Sequence, residues 1–334
     1  MTRIVAVLVA LLAGMQTAAL DPGVSAVFTR YWRFTTSDVA DLRKGRVVKH
    51  SLETPSGEIA VAGAIRVNAA PSAFVDAVRN IVEFKKNPDV LQIGRFSDPP
   101  QLDDMRGLSV DNADFDAASC RVNDCGVRLP ADFISRLPGE VDVKAPDAQE
   151  RAAQWFKQAL FSDVNAYWSG TPGRFLSYDD DEKPIRPIDE FNALIKNAPA
   201  MGSLSPALRD HLASFPANRM PGAEDLLYWS KEKFGIEPFI TVTHVVIACP
   251  SESLCLVASK DVYSSRYIDA SLALSLTSLD AADARAFYLV YVNQSRSSSL
   301  KGRLSGLRKS IAERRARGSL EETLKTLKRR FESR

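Results

Sequence analysis

The chain has 334 residues, 25% of them charged and 45% hydrophobic, with a formal net charge of +2. That balance is ordinary for a folded globular chain and excludes a disordered, collagenous or strongly nucleic-acid-like composition. The charge is uneven: from Lys301 to Arg334 there are twelve Lys/Arg and four Asp/Glu, a net of +8, so the preceding 300 residues carry about −6.

In chain order, Arg3, the apolar run Ile4–Leu12 and Thr17-Ala18-Ala19 read as a secretory signal over residues 1–19. The apolar run is shorter than the roughly 20 residues that span a bilayer. A helix is expected over Val24–Phe34, then a second from a Ser37 cap through Leu42. Arg46–Leu52 and Glu58–Val67 read as strands joined by the turn Pro55-Ser56-Gly57. Pro71 starts a helix that carries Phe74, Val75, Val78, Ile81 and Val82. Val90–Phe96 and Cys125–Leu129 are further strand candidates.

A central, mainly helical stretch follows, over about residues 147–235. Asp147–Trp168 has the period of a long helix, Arg174–Tyr178 reads as a strand, and Ile188–Ile195 and Ala223–Phe234 read as helices. Asn197–Gly222 holds four prolines and reads as loop. The acidic run Asp179–Glu182 lacks the spacing of a dedicated calcium loop and reads as a solvated turn.

The last third is the most regular. Phe239–Ile247, Leu254–Ser259, Tyr267–Thr277 and Phe287–Asn293 read as strands. In the third of these, Ile268, Ala270, Leu272, Leu274 and Leu276 alternate with Asp269, Ser271, Ala273 and Ser275, the period of a half-buried strand. Two basic amphipathic helices are expected over about residues 300–332. Leu300, Leu304, Leu307 and Ile311 form one stripe, expected to face the sheet, with the arginines mostly on the other side. Gly318 is expected to break the chain, with Ser319 and Glu322 as a capping box for the last helix.

Cys120 and Cys125, and Cys249 and Cys255, bracket turn residues, and in an exported chain they point to two local disulfides. Neither pair has zinc-ligand spacing, and the three histidines His50, His211 and His244 are not near a cysteine. No G-x-S-x-G elbow, H-E-x-x-H, P-loop or dinucleotide glycine pattern is present. No metal, cofactor or catalytic set is therefore expected. His244 shares a strand face with Ile240, Val242 and Val246, either as a satisfied core residue or as a polar group in a cavity wall. Tyr263, Arg266, Tyr267 and Asn293 stand at strand ends, where Arg suits a carboxylate or phosphate headgroup. These five are the candidate ligand-binding residues.

The expected fold is one α+β domain over residues 20–334: an antiparallel sheet wrapped around a C-terminal helix, with a central helical insertion. Asp41–Val48 leading into the Gly57–Asn68 strand and the Pro71 helix, together with Tyr267–Leu272, Phe287–Ser295 and the Lys301-Gly302 helix, resembles the START-like, helix-grip superfamily, in an exported branch. The resemblance covers about half of the chain. It implies a cavity for a hydrophobic or amphipathic small molecule, lipid-like, between sheet and helix, and no fixed catalytic residues. Rival readings are an envelope interaction protein and a cyclase- or hydrolase-like enzyme using the same pocket. The basic tail is either a solvated face or a contact with anionic membrane; nucleic acid is not an expected partner. A periplasmic or secreted location follows from the signal and the cysteines.

Overall fold

In the computed structural model, which describes residues 22–171, 177–233 and 237–333, eight strands form one antiparallel sheet. In chain order they are β1 (Val48–Ser51), β2 (Glu58–Val67), β3 (Val90–Arg95), β4 (Glu224–Lys233), β5 (Pro238–Ser251), β6 (Leu254–Ser264), β7 (Ala270–Asp280) and β8 (Asp283–Arg296). They lie side by side as β1-β2-β8-β7-β6-β5-β4-β3. The last five strands are a meander, in which each strand pairs with its neighbour in sequence at low loop-closure cost. The early β2 then pairs with the late β8 over ten residues, from Glu58↔Arg296 to Val67↔Phe287. The expected signal segment 1–19 lies outside the described residues, and so does most of the Arg174–Tyr178 strand expectation.

Ten α-helices are described: α1 (Pro22–Trp32), α2 (Thr36–Arg43), α3 (Pro71–Arg79), α4 (Ile81–Lys85), α5 (Ala131–Glu140), α6 (Ala148–Ser169), α7 (Pro187–Lys196), α8 (Pro199–Leu204), α9 (Pro206–Ser214) and α10 (Ser305–Glu332). They bury the sheet on both faces. Leu272, Leu274 and Leu276 of β7 pack with α1, α2 and α7–α9. On the same face, Leu227, Trp229 and Val242 pack with α5 and α6. Val61, Ile65, Val245, Val257 and Leu289 face the other way, against α3, α4 and α10. The period-two pattern of β7 thus sends its two residue sets to opposite sides of the pleat.

Several expectations are corrected. Ala223–Phe234 is strand β4, not helix: Leu226, Leu227, Tyr228 and Trp229 are all buried because both faces of the sheet are covered, which erases the alternation that marks a strand. Asn197–Gly222 holds α8 and α9, each opened by a proline at its first turn, with Ser205 capping α9 through Leu208 N–H. Thr35, not Ser37, caps α2, in a box with Asp38. Cys125–Leu129 is no strand; it belongs to a loop whose Asn123 and Cys125 amides donate to Asp179 and Asp180 carbonyls. The acidic run therefore braces that loop. The disulfides Cys120–Cys125 and Cys249–Cys255 are both formed, which fits an oxidising compartment.

The largest correction concerns the C-terminus. Gly318 does not break the chain; α10 runs unbroken for 28 residues. The roughly 1 kcal/mol cost of a helical glycine is outweighed by packing of the helix that follows it. Leu320, Leu324 and Phe331 are buried on the sheet, with Ala316 and Leu327 partly so. The helix rests directly on β2: a Cβ on Gly63 would stand 2.8 Å from Leu320 Cδ2 and 3.0 Å from Leu324 Cδ1, so a side chain there would force the leucines of the helix to shift. From Ile311 to Leu320 is nine residues, about two and a half turns of a continuous helix. The stripe Leu304, Leu307 and Ile311 therefore points away from the sheet, at 64%, 61% and 46% exposure. Of the expected stripe only Leu300, which precedes the helix, is buried.

Candidate functional site

The meander places three of the five expected site residues together and separates the other two. Tyr263 is buried, and its hydroxyl donates to the Arg128 carbonyl at 3.1 Å. Arg266 pairs with Glu237 at 3.0 Å and donates to the carbonyls of Ala113 and Asp114 at 2.7 and 2.8 Å. Tyr267 takes a left-handed backbone conformation (φ 63°), and its hydroxyl bonds the Glu237 backbone. Tyr263 and Arg266 thus fasten the end of β6 to the segment 113–128 that carries the Cys120–Cys125 disulfide, and Tyr267 fastens it to Glu237 before β5. His244 of β5 is in register with Lys260, Leu272 and Gln294, so it shares their face of the sheet. Asn293 is the neighbour of Gln294 along β8 and faces the other side, where it accepts from Ser295 at 3.0 Å.

His244 belongs to a largely buried network, whose Asp225 also faces the half-exposed Arg219 at 3.7 Å. Asp225 Oδ1 accepts from His211 Nε2 at 2.7 Å and from His244 Nε2 at 2.9 Å. The Met220 amide donates to His211 Nδ1 at 2.7 Å, and Tyr167 bonds His244 Nδ1 at 2.8 Å. Both rings are wholly buried, with Phe215 packed 4.4 Å from His244 between centroids. Two imidazoles and a carboxylate lie close enough to grip a cation. Their protons argue otherwise. An amide can only donate, so His211 Nδ1 is bare and its proton sits on Nε2, the atom a metal would need. Burial pushes the His244 ring down to about 4, against the pull of Asp225, which keeps it neutral. At Asp225 burial works upward, but the hydrogen bonds donated by the two histidine rings outweigh it and bring its pKa down. The set is a neutral–anionic brace that ties α6 and α9 to β4 and β5.

A cavity of about 180 Å³ lies on the same face of the sheet, between α1, α8 and strands β7 and β8; this is the face opposite α10, so the cavity is not between the sheet and the C-terminal helix as expected. One part of its wall is apolar: Leu272, Leu274 and Val292 from the sheet, Trp32 from α1 and Met201 from α8; Glu53, Asn197 and Gln294 also line it. Arg30 and Arg33 stand among its lining. Arg33 follows α1 with φ 61°, where Phe34 N–H closes the helix by bonding Phe28 O at 3.1 Å. Glycine is the default at such a position, and a side chain there costs about 1 kcal/mol. Arg33 pairs with Glu53 at 2.6 Å on the exposed surface, and Arg30 stacks on Tyr31. The polar edge is held by Glu58, wholly buried, which accepts from Asn197 and Arg296, each at 3.1 Å, and from Gln294 at 3.3 Å.

None of these cavity residues is among the five candidates. The signal that could have pointed to them is Tyr31-Trp32-Arg33-Phe34, a dense aromatic–arginine segment beside a helix end. Leu52 and Glu53 follow about 20 residues on, and the other walls come from residues 197–201 and 272–294, which only the fold brings together. In comparisons with family models, curated proteins and solved structures, nothing matches this chain.

Proposed function

We propose that the chain is an exported binding protein of START-like, helix-grip type that holds a small amphipathic molecule. Its apolar part enters the cavity between α1, α8 and the sheet, and its anionic head meets Arg30 and Arg33. The observation that carries this reading is a cavity with an apolar wall and two arginines at its edge, one of them held in a backbone conformation that costs energy and paired with Glu53, which an anionic head would displace. The helix-grip reading is supported by β2 returning beside β8 and by α10 lying on β2. Export is supported by the N-terminal residue pattern and by the two disulfides.

The cavity is smaller than the roughly 300–1,000 Å³ of drug-sized sites, so a single short chain fits better than a sterol or a diacyl lipid. Burial at about 25 cal/mol per Å² supplies affinity, and an arginine supplies orientation. Native mass spectrometry of the purified protein, followed by titration with medium-chain fatty acids, tests the reading. A bound anionic amphiphile is expected. Ala200→Leu, which fills the cavity, should abolish it, and Arg33→Ala should weaken it. Binding that ignores both changes, or no binding of any amphiphile, would refute the assignment.

A further inference from the structure

We propose that the first half of α10, with the Leu304 cap before it, docks on an anionic lipid surface, with Leu304, Leu307 and Ile311 inserted between headgroups and flanking arginines on the lipid phosphates. The three apolar side chains are exposed and stand on the side of the helix opposite Ala316, Leu320 and Leu324, which pack on the sheet. At 3.6 residues per turn, Arg314 falls along one edge of the outward stripe and Arg308 and Arg315 along the other. Between Lys301 and Leu320 there are seven Lys/Arg and one acid, Glu313, which lies on the sheet-facing side.

A narrow apolar line bordered by guanidinium groups on both edges is the arrangement of a helix lying in a membrane interface. It fits a protein partner poorly. Three part-exposed aliphatic side chains offer roughly 300 Å², against about 800 Å² per partner in a stable protein–protein interface. Electrostatics supplies the rest on lipid, where each Lys/Arg near an anionic leaflet contributes about a fivefold gain in binding. The second half of α10 holds the segment against the sheet, so the binding face is pre-ordered and its residues are not needed for the core.

The test is co-sedimentation of the full folded protein with vesicles of phosphatidylcholine, alone or mixed equally with phosphatidylglycerol. Binding is expected only with phosphatidylglycerol, and it should fade in about 1 M salt, where the Debye length falls to about 3 Å. Leu304→Ser/Leu307→Ser/Ile311→Ser should remove most of it. Arg308→Gln/Arg314→Gln/Arg315→Gln should lower it roughly a hundredfold. Both triple variants should melt like the parent, because the altered residues are exposed. Arg33→Ala should leave pelleting unchanged, which separates this surface from the cavity. Equal binding to pure phosphatidylcholine, no binding at low salt, or an unaffected serine variant would each overturn the proposal. So would lipid-independent self-association that the serine variant dissolves, since the stripe would then be a protein contact.

Discussion

The seat of α10 on β2 can be tested by one substitution, Leu324→Ala. Leu324 is wholly buried, and its Cδ1 lies against the backbone of Gly63. Truncation removes about three carbons from burial, worth about 2.4 kcal/mol at 0.8 per CH₂. The floor of the void is main chain held in two ladders, β1–β2 and β2–β8, so it cannot collapse inward. A residual void of roughly 60 Å³ adds about 1.5 kcal/mol. The expected loss is therefore about 4 kcal/mol, read as a lower urea midpoint with unchanged slope. Gly63→Ala alone should cost about 1–3 kcal/mol by overpacking. In the double variant the new methyl occupies the void, so the two losses should sum to less than their parts by about 1 kcal/mol. A loss below about 1 kcal/mol for Leu324→Ala, or strict additivity, would show that the helix is not seated where the structure puts it. Leu307→Ala, on the outward stripe, should change stability by no more than about 0.5 kcal/mol.

Asp114→Ala leaves the buried Lys231 ammonium without its 2.5 Å carboxylate and should cost about 3 kcal/mol in chemical denaturation. The value is held to the lower end because Asp111 stands 3.4 Å from the same ammonium. His244, neutral in the fold down to about pH 4, protonates near 6.5 once unfolded. The unfolded chain thus binds more protons between those values, so the contribution is full above pH 6.5 and lost as pH falls toward 4. The stability gap between the parent and His244→Gln should shrink by as much as about 3 kcal/mol across that window, and a constant gap would exclude His244 as the titrating group. Cys249→Ala/Cys255→Ala opens a short loop and should cost about 2 kcal/mol on the chain-entropy account; a melting curve identical to the parent's would contradict it.

Where one residue pattern met one environment, the chain alone was enough. Ala270 to Leu276 alternate, and they lie on a pleat with different neighbours on its two sides. Pro55-Ser56-Gly57 turns between β1 and β2, Pro71 opens α3, and each cysteine pair is close enough in sequence to close locally. Where tertiary burial overrode the local pattern, the chain was silent or misleading. Leu226 to Trp229 lost their alternation because helices cover both faces of β4. The cavity around Arg33 depends on α1, α8 and β8 meeting across most of the chain. Leu300, Leu304, Leu307 and Ile311 carry the same spacing as Leu320, Leu324, Leu327 and Phe331, and each set alone reads as a sheet-facing stripe. Only the unbroken passage of α10 through Gly318 decides between them. The contacts of Leu320 and Leu324 with β2 set the rotation of the whole helix, and two and a half turns earlier that same rotation turns the other stripe outward.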